Sequence, residues 1–437
     1  MKTKYTRYPF VALTLLALNP AHATGINDTG ITTCSNATQN GLPCPVAGFP
    51  GQDAEYGTNK FDFTKLDANG NALPVTATNW SCVKDNVTGL MWEVKTDDGG
   101  LRDKDNTYTF DQAAIFATNV NAAGLCGHND WRVPNPKELL GIANMSIPYP
   151  DPSIDMAYFP NTPSTWFWTS YSFVSYPSYA WYVSFNYGGV VYREEREKYA
   201  AVRLVHGNQL YVSLTDNGDG TITDSHNNLM WAKCSEGQTG LACSNSAIDM
   251  SWAAALTVAQ NSRLGGYDDW RLPNPKELQF LVDYGRYGPS IDTTYFPNTP
   301  YDYSCCGGRY FWTSSAYATD PHYSWDVNFN QGWVGSTRSF DHAVRLVRTS
   351  TVFLSLKITK TGTGTGTVTS TPSGINCGTA CNANFTSGTT VTLTATPQTI
   401  ACITTPCPSN IWSGWSGACT GTANTCTVTM TAAKTVT

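Results

Sequence analysis

Asp130-Trp131-Arg132-Val133-Pro134-Asn135-Pro136-Lys137-Glu138-Leu139 recurs 139 residues later as Asp269-Trp270-Arg271-Leu272-Pro273-Asn274-Pro275-Lys276-Glu277-Leu278. Working outward, Leu90-Met91-Trp92 returns as Leu229-Met230-Trp231. Tyr158-Phe159-Pro160-Asn161-Thr162-Pro163 returns as Tyr295-Phe296-Pro297-Asn298-Thr299-Pro300. Phe167-Trp168-Thr169-Ser170 matches Phe311-Trp312-Thr313-Ser314, and Ala201-Val202-Arg203-Leu204-Val205 matches Ala343-Val344-Arg345-Leu346-Val347. A period of about 140 residues is too long for solenoid units, so these are tandem domains.

Each copy reads as mixed α and β. Thr109-Phe110-Asp111-Gln112 opens an Ala-rich stretch as a capping box, with Thr109 as N-cap and Gln112 at N3. A second helix opens with Asn135 as N-cap, Pro136 at N1 and Glu138 at N3, and Asn274 to Glu277 repeats that signal. Trp181-Tyr182-Val183-Ser184-Phe185-Asn186 and Trp325-Asp326-Val327-Asn328-Phe329-Asn330 both alternate with period two. Trp, Val and Phe hold one face in both copies, while Tyr/Ser/Asn becomes Asp/Asn/Asn on the other. A half-buried antiparallel sheet with a free outer face is expected. Asp216-Asn217-Gly218-Asp219-Gly220-Thr221 misses the spacing of a calcium loop and reads as a hairpin turn.

Of 437 residues, 41% are hydrophobic and only 14% charged, with 14 Trp and 23 Tyr. That aromatic content excludes a disordered chain, and 37 Gly with 24 Pro exclude a coiled coil. A net charge of −6 leaves no basic footprint for nucleic acid. Lys2, Lys4 and Arg7, the apolar run Phe10 to Leu18, and Ala21-His22-Ala23 follow the order of a signal peptide over 1–23. The run falls far short of the ~20 residues a spanning helix needs, so no transmembrane segment is expected. Export follows, to the secreted space, the cell surface or the periplasm.

Fourteen cysteines in an oxidising compartment read as disulfides. The pairs Cys34 and Cys44, Cys377 and Cys381, Cys402 and Cys407, and Cys419 and Cys426 have the spacing of local loops. Cys82 and Cys126 align with Thr221 and Gly265, so copy two lacks both together, and joint loss pairs them. Cys234, Cys243 and the adjacent Cys305 and Cys306 leave three connectivities open. With 6 His in all and none near Cys377 or Cys381, neither a metal nor a cofactor is expected; calcium support of the loops stays open.

The ordered motifs Gly89-Leu90-Met91-Trp92, Trp131-Arg132-Val133-Pro134, Phe167-Trp168-Thr169-Ser170 and Val202-Arg203-Leu204-Val205 resemble the Legionella collagen-like protein C-terminal domain family, over 60–206 and again over 210–348. That family is similar to C-type-lectin-like folds, in the branch shared with formylglycine-generating enzymes. The resemblance implies an α+β fold class: two tandem C-type-lectin-like domains, each with two helices flanking twisted antiparallel sheets. No acidic residue follows Asp341, and Thr363 to Thr371, Thr389 to Thr396 and Thr425 to Thr431 alternate as strands do. Lys360-Thr361-Gly362-Thr363-Gly364, Cys377, Cys381 and Gly414-Trp415-Ser416-Gly417 resemble the divergent internalin B-type bacterial repeat. This implies a small all-β module over 352–437 with a short final strand. Residues 24–59, holding Cys34 and Cys44, precede copy one.

Trp92, Trp131, Trp168, Trp181 and their counterparts read as core. Arg132 and Arg271 read as structural, with Asp130 and Asp269 as nearby partners, and Arg203 and Arg345 as buried and paired. The signal for function lies where the copies differ. Tyr171, Tyr176, Tyr179, Tyr182 and Tyr187 stand against Tyr317, Tyr323, Asn328 and Trp333. Tyr, Trp and Asn with interleaved Ser and Gly make a paratope-like surface, suited to a carbohydrate or protein ligand on a cell surface or matrix. Packing of these tyrosines over the sheet is the competing reading. Kinship with formylglycine-generating oxidases raises an enzyme, but copy one has no Cys after Cys126 within its repeat, and no G-x-S-x-G elbow occurs. Glu194, Glu195 and Glu197 have no counterpart in copy two and read as a solvated run. The expectation is a non-enzymatic, adhesin-like exported protein, with a structural surface or filament role as the alternative.

Overall fold

The structure, a computed structural model, describes residues 25–437 except 58–59, 303–308, 339, 351–352, 379, 387, 399–411 and 431. The signal peptide expected over 1–23 lies outside the described residues. So do four of the expected disulfide cysteines: Cys305 and Cys306 in copy two, and Cys402 and Cys407 in the tail. The pairing of Cys402 with Cys407 therefore stays an expectation from spacing. Thr24–Phe353 form one compact unit, and Leu354–Thr437 fall in another.

A short helix α1 (Asp53–Tyr56) precedes copy one. Copy one comprises β1 (Phe63–Leu66), β2 (Cys82–Asp85), β3 (Met91–Glu93), α2 (Phe110–Ala123), α3 (Pro136–Gly141), β4 (Trp166–Ser172), β5 (Tyr179–Ser184), β6 (Val190–Glu195) and β7 (Val205–His206). Copy two repeats the order with β8 (Leu214–Asp216), β9 (Thr221–Asp224), β10 (Leu229–Ala232), α4 (Trp252–Asn261), α5 (Pro275–Phe280), β11 (Tyr310–Ala316), β12 (Tyr323–Asn328), β13 (Val334–Arg338) and β14 (Val347–Thr349). The architecture is mixed and dominated by sheet.

The helices start where their caps require. Thr109 accepts from the Gln112 amide, while the Gln112 side chain accepts from the Thr109 amide. Asn135 and Asn274 make the same reciprocal bonds with Glu138 and Glu277. Each such cap is worth about 1 kcal/mol. Asp216 to Thr221 forms the turn between β8 and β9, closed by the Asn217 amide on the Thr221 carbonyl at 3.1 Å.

Each copy has its own four-stranded sheet, β1-β2-β3-β7 and β8-β9-β10-β14. The remaining strands form a single six-stranded sheet, β4-β5-β6-β13-β12-β11, that crosses from one copy to the other. Its central pairing is antiparallel, with Val191 opposite Val334. These residues are equivalents, since Val191 pairs with Val183 and Val334 with Val327 inside their own copies. An antiparallel pairing of equivalent residues is the signature of a local two-fold axis. The two copies are therefore fused, not strung as separate beads. One apolar core runs through both, containing Trp92, Trp181 and Phe159 with Trp231, Trp325 and Phe296. Smaller cores under α2 and α4 hold Trp131 with Trp168 and Trp270 with Trp312.

The second sheet face is not free in copy two. Asp326 pairs in register with Trp312, which belongs to the core beneath α4, and Asp326 is 1% exposed. Asn328 and Asn330 are buried as well. Thr337 and His342 close over Asp326, and the β12–β13 turn folds onto Asn328.

Cys34–Cys44, Cys82–Cys126, Cys377–Cys381 and Cys419–Cys426 are disulfides as the spacings indicate. Cys234–Cys243 supplies the bond left open in copy two. Where copy one has its bridge, the Thr221 methyl lies 3.1 Å from the place of a Cβ on Gly265, so contact replaces the covalent link.

In the C-terminal unit, β15 (Phe353–Ile358), β16 (Gly366–Thr371), β17 (Asn382–Thr386), β18 (Thr390–Pro397), β19 (Thr425–Thr429) and β20 (Lys434–Val436) form two three-stranded sheets. They enclose a core of their own with Leu356, Val391, Trp415 and Val428. The last of these strands, β20, has three residues.

Two outcomes are expected. Cys82→Ser with Cys126→Ser opens a 44-residue loop and lowers unfolding stability by up to about 4 kcal/mol, read by denaturant unfolding under oxidising conditions. Burial pushes the Asp326 carboxyl up to about 7, with the Thr337 hydroxyl bond opposing. A carboxyl raised on folding favours the native state below its unfolded pKa, and that advantage is lost as pH rises through about 7. Asp326→Asn should therefore raise the melting temperature at about pH 8 relative to wild type and change it far less at about pH 4.

Candidate functional site

The repeated decapeptide builds the same scaffold twice. Arg132 donates to both carboxylate oxygens of Glu138 at 2.7 and 2.8 Å, and Arg271 to both of Glu277 at 2.7 Å. Glu138 and Glu277 also accept the Asn135 and Asn274 amides at 2.9 Å. The arginine partner is thus the glutamate at helix position N3, not Asp130 or Asp269. The Pro-Asn turn folds the helix start back over the arginine. Asp130 instead meets His206 at 2.8 Å, and Asp269 meets Arg348 at 2.6 Å. Arg203 and Arg345 are buried, but they donate to backbone carbonyls and to Thr162 and Thr299 hydroxyls. Burial pulls their guanidinium groups down to about 10 and about 9.

The lysine of the decapeptide crosses the two-fold axis. Lys137 donates to the Phe280 carbonyl at 2.8 Å, and Lys276 donates to the equivalent Gly141 carbonyl at 2.9 Å. Burial pulls Lys137 down to about 8 and Lys276 to about 7. A cleft opens beside Lys137 but not beside Lys276, and here the symmetry fails.

Beside Lys137 the cleft has a volume of about 320 Å³, lined by Asn135, Tyr171, Leu210, Val212, Asp283 and Tyr284 among others. At the equivalent place beside Lys276, bounded by Phe61, Asn144 and Met145, the N-terminal segment takes the space instead. Lys276 donates a further bond to the Asp28 carbonyl at 2.7 Å, and the Met145 amide donates to the Thr29 carbonyl at 2.8 Å. Asp53 accepts from the hydroxyls of Thr29 and Ser315 and is pushed up to about 7 by burial and by neighbouring Asp28. Asn40 donates to the Tyr317 and Ala318 carbonyls, and Phe49 packs on Trp252 at 5.7 Å. Asn27 also donates to Asp85 of copy one at 2.6 Å, so residues 25–57 lie across both copies. The position of Ser315 is taken in copy one by Tyr171, which faces the open cleft.

Of the residues singled out by sequence, Tyr171 lines this cleft, whereas Tyr176 packs on Phe173 outside it. Tyr171 contacts Tyr284 edge-on at 6.2 Å, Tyr284 contacts Trp181 at 4.9 Å, and Phe173 joins Trp181 to Tyr176 and Tyr287. Tyr176 is 58% exposed. Tyr187 is exposed and stacks on Tyr149 at 5.3 Å. Tyr179 is half-buried, with the Arg193 guanidinium 6.0 Å from its ring. Tyr182 packs between Trp166 and Tyr192, Tyr317 packs edge-on against Trp325, and Tyr323 is half-buried beside Tyr317. Tyr179, Tyr182, Tyr317 and Tyr323 thus serve sheet packing. Trp333 seals the seam between the copies, 4.6 Å from Tyr192 and under the Arg193 guanidinium. Asn328 is 2% exposed and caps the β12–β13 turn through the Asn330 and Gln331 amides. Neither Trp333 nor Asn328 is a free loop side chain.

Lys137 and the cleft wall were missed from sequence, although the lysine's recurrence in the decapeptide was the available signal. Among the described residues, two groups bring metal-ligating atoms within 4.8 Å of one another, His128/Asp130/His206 and Asp97/Asp103/Asp105. The first has a counterpart in Tyr267, Asp269 and Arg348, where the guanidinium lies 3.8 Å over the tyrosine ring. Copy one sets the His206 imidazole, stacked 3.8 Å from His128, in that cationic place. In the second, Asp103 already accepts the Asp98, Gly99 and Asp105 amides and organises a turn. The C-terminal unit has a cleft of about 460 Å³ of its own, walled by Lys360 to Val368, Trp412 and Trp415.

Fused twin α+β modules with one filled and one open cleft define a pseudo-symmetric double-domain scaffold. Residues 81–206 and 220–348 match the sequence family described as the Lcl C-terminal domain. The matches cover more than half of the chain, which belongs to that family. No curated protein and no solved structure matches it.

The N-terminal segment provides a test of the filled cleft. Lys276→Met removes its bond to Asp28, and segment 25–57 should then be cleaved several-fold faster than in wild type under limited proteolysis. An unchanged cleavage rate would show that the lysine does not hold the segment.

Proposed function

We propose that this chain is an exported, adhesin-like binding protein whose ligand seats in the open cleft beside Lys137, against Tyr171. One observation carries the reading: of the two equivalent places beside the decapeptide lysines, the chain fills one with its own N-terminal segment and leaves the other open, lined by Tyr171. A concave site with aromatic walls and a few fixed polar groups is the usual form of a binding pocket. Disulfides, and the absence among the described residues of a helix long and apolar enough to cross a membrane, fit an exported chain. In this reading each copy is a C-type-lectin-like module, and the C-terminal unit is an internalin B-type repeat that spaces or attaches the pair. The chain performs no catalysis. Glu194 and Glu195 are adjacent on β6 and so point to opposite faces, which does not favour a convergent carboxylate pair.

A structural role at the surface or in a filament is the second reading, favoured by the two-fold seam that joins the copies into one unit. Glycan and extracellular-matrix arrays separate the two. Binding to an arrayed ligand, weakened about tenfold or more by Tyr171→Ala and less by Tyr187→Ala, is expected of the cleft. Silence across both arrays supports the structural role.

A further inference from the structure

The filled cleft shows what the open one is shaped to take. We infer that the cleft beside Lys137 binds an extended polypeptide segment of a partner protein, in the manner in which the place beside Lys276 holds Asp28-Thr29-Gly30. This deepens the binding reading above and rests on it.

The correspondence can be followed group by group. In the filled cleft, two consecutive carbonyls are read, that of Asp28 by the Lys276 ammonium and that of Thr29 by the Met145 amide. The equivalent donors in the open cleft are the Lys137 ammonium and the Tyr284 amide. Lys137 has its carbonyl across the axis, as Lys276 does, but not the second acceptor that Asp28 gives Lys276. Among the described residues, no backbone carbonyl stands opposite the Tyr284 amide as Thr29 stands opposite Met145. Two donors at the spacing of successive carbonyls recognise a backbone, not a side chain.

The third position sets the selectivity. Gly30 has φ +86°, and a Cβ there would lie 2.4 Å from Asn144 Oδ1 and 3.2 Å from the Phe61 ring. In the open cleft Asp283 replaces Asn144 and Val212 replaces Phe61, by the register that sets Phe63 opposite Asp85 and Leu214 opposite Asp224. Valine is the smaller side chain, so a residue with a Cβ is admitted on that wall. Arg286 holds Asp283 at 2.8 Å and keeps the carboxylate at the rim. Tyr171, in place of Ser315, offers a ring where the filled cleft offers a hydroxyl.

The test uses the full mature chain and a fluorescently labelled peptide of residues 25–31, Gly-Ile-Asn-Asp-Thr-Gly-Ile, followed by anisotropy. One saturable site is expected, weakened about tenfold or more both by Lys137→Met and by Val212→Trp, which fills the cleft. Thermal melts confirm that both variants fold, and if Lys137→Met does not, Val212→Trp decides. The inference is overturned by no saturable binding up to about 1 mM peptide, the weak end of specific recognition. It is equally overturned if a folded cleft variant binds as wild type does. Glycan binding that needs Tyr171, without peptide binding, overturns the polypeptide assignment alone and leaves the binding role standing.

Discussion

The pairing of β6 with β13 is the contact on which the rest of this molecule depends. Each copy alone would end in an exposed strand with unpaired amides and carbonyls, a surface that invites uncontrolled association. Setting Val191 against Val334 satisfies each edge with the other and continues the apolar core through the junction. It also fixes the axis that brings α3 and α5 together, so that each decapeptide lysine reaches a carbonyl of the opposite copy. The clefts exist because of that crossing.

Much of the local structure was legible in the sequence. The Asn-Pro-Lys-Glu starts of α3 and α5 followed from capping chemistry alone, and the joint absence of two cysteines identified Cys82–Cys126. The recurring tryptophans are core in both copies, none of Trp92, Trp131, Trp168, Trp181 and their counterparts being more than 3% exposed. What was not legible depends on contacts between distant segments. Period-two alternation marks β5 and β12 as strands, but it does not say that a neighbouring copy extends their sheet. Asp326 and Asn328 look solvent-facing by pattern and are buried because Thr337, His342 and a tight turn close around them. Arg132 has carboxylates on both sides in sequence, and only the fold-back at Pro134 selects Glu138 over Asp130.

The tyrosine signal divided along the same line. Residues in strands, such as Tyr182 and Tyr323, serve packing, whereas Tyr171 and Tyr176 lie where β4 leaves the sheet and can face a cleft or solvent. Composition identifies an amphipathic surface but not which of its rings are pinned by neighbours. The asymmetry between the clefts was also hidden, because it arises from residues 25–57, which precede the repeat and share no motif with it.

The stretch from Leu210 to Leu214 is at once the tether between the copies and a wall of the open cleft. Covalent continuity and pocket shape are consequently one property here. Two halves produced as separate polypeptides could still meet edge to edge, yet the free end at that tether would fray and the hollow would lose a side. Mechanical load carried along the backbone between the halves would be felt first by whatever the hollow holds.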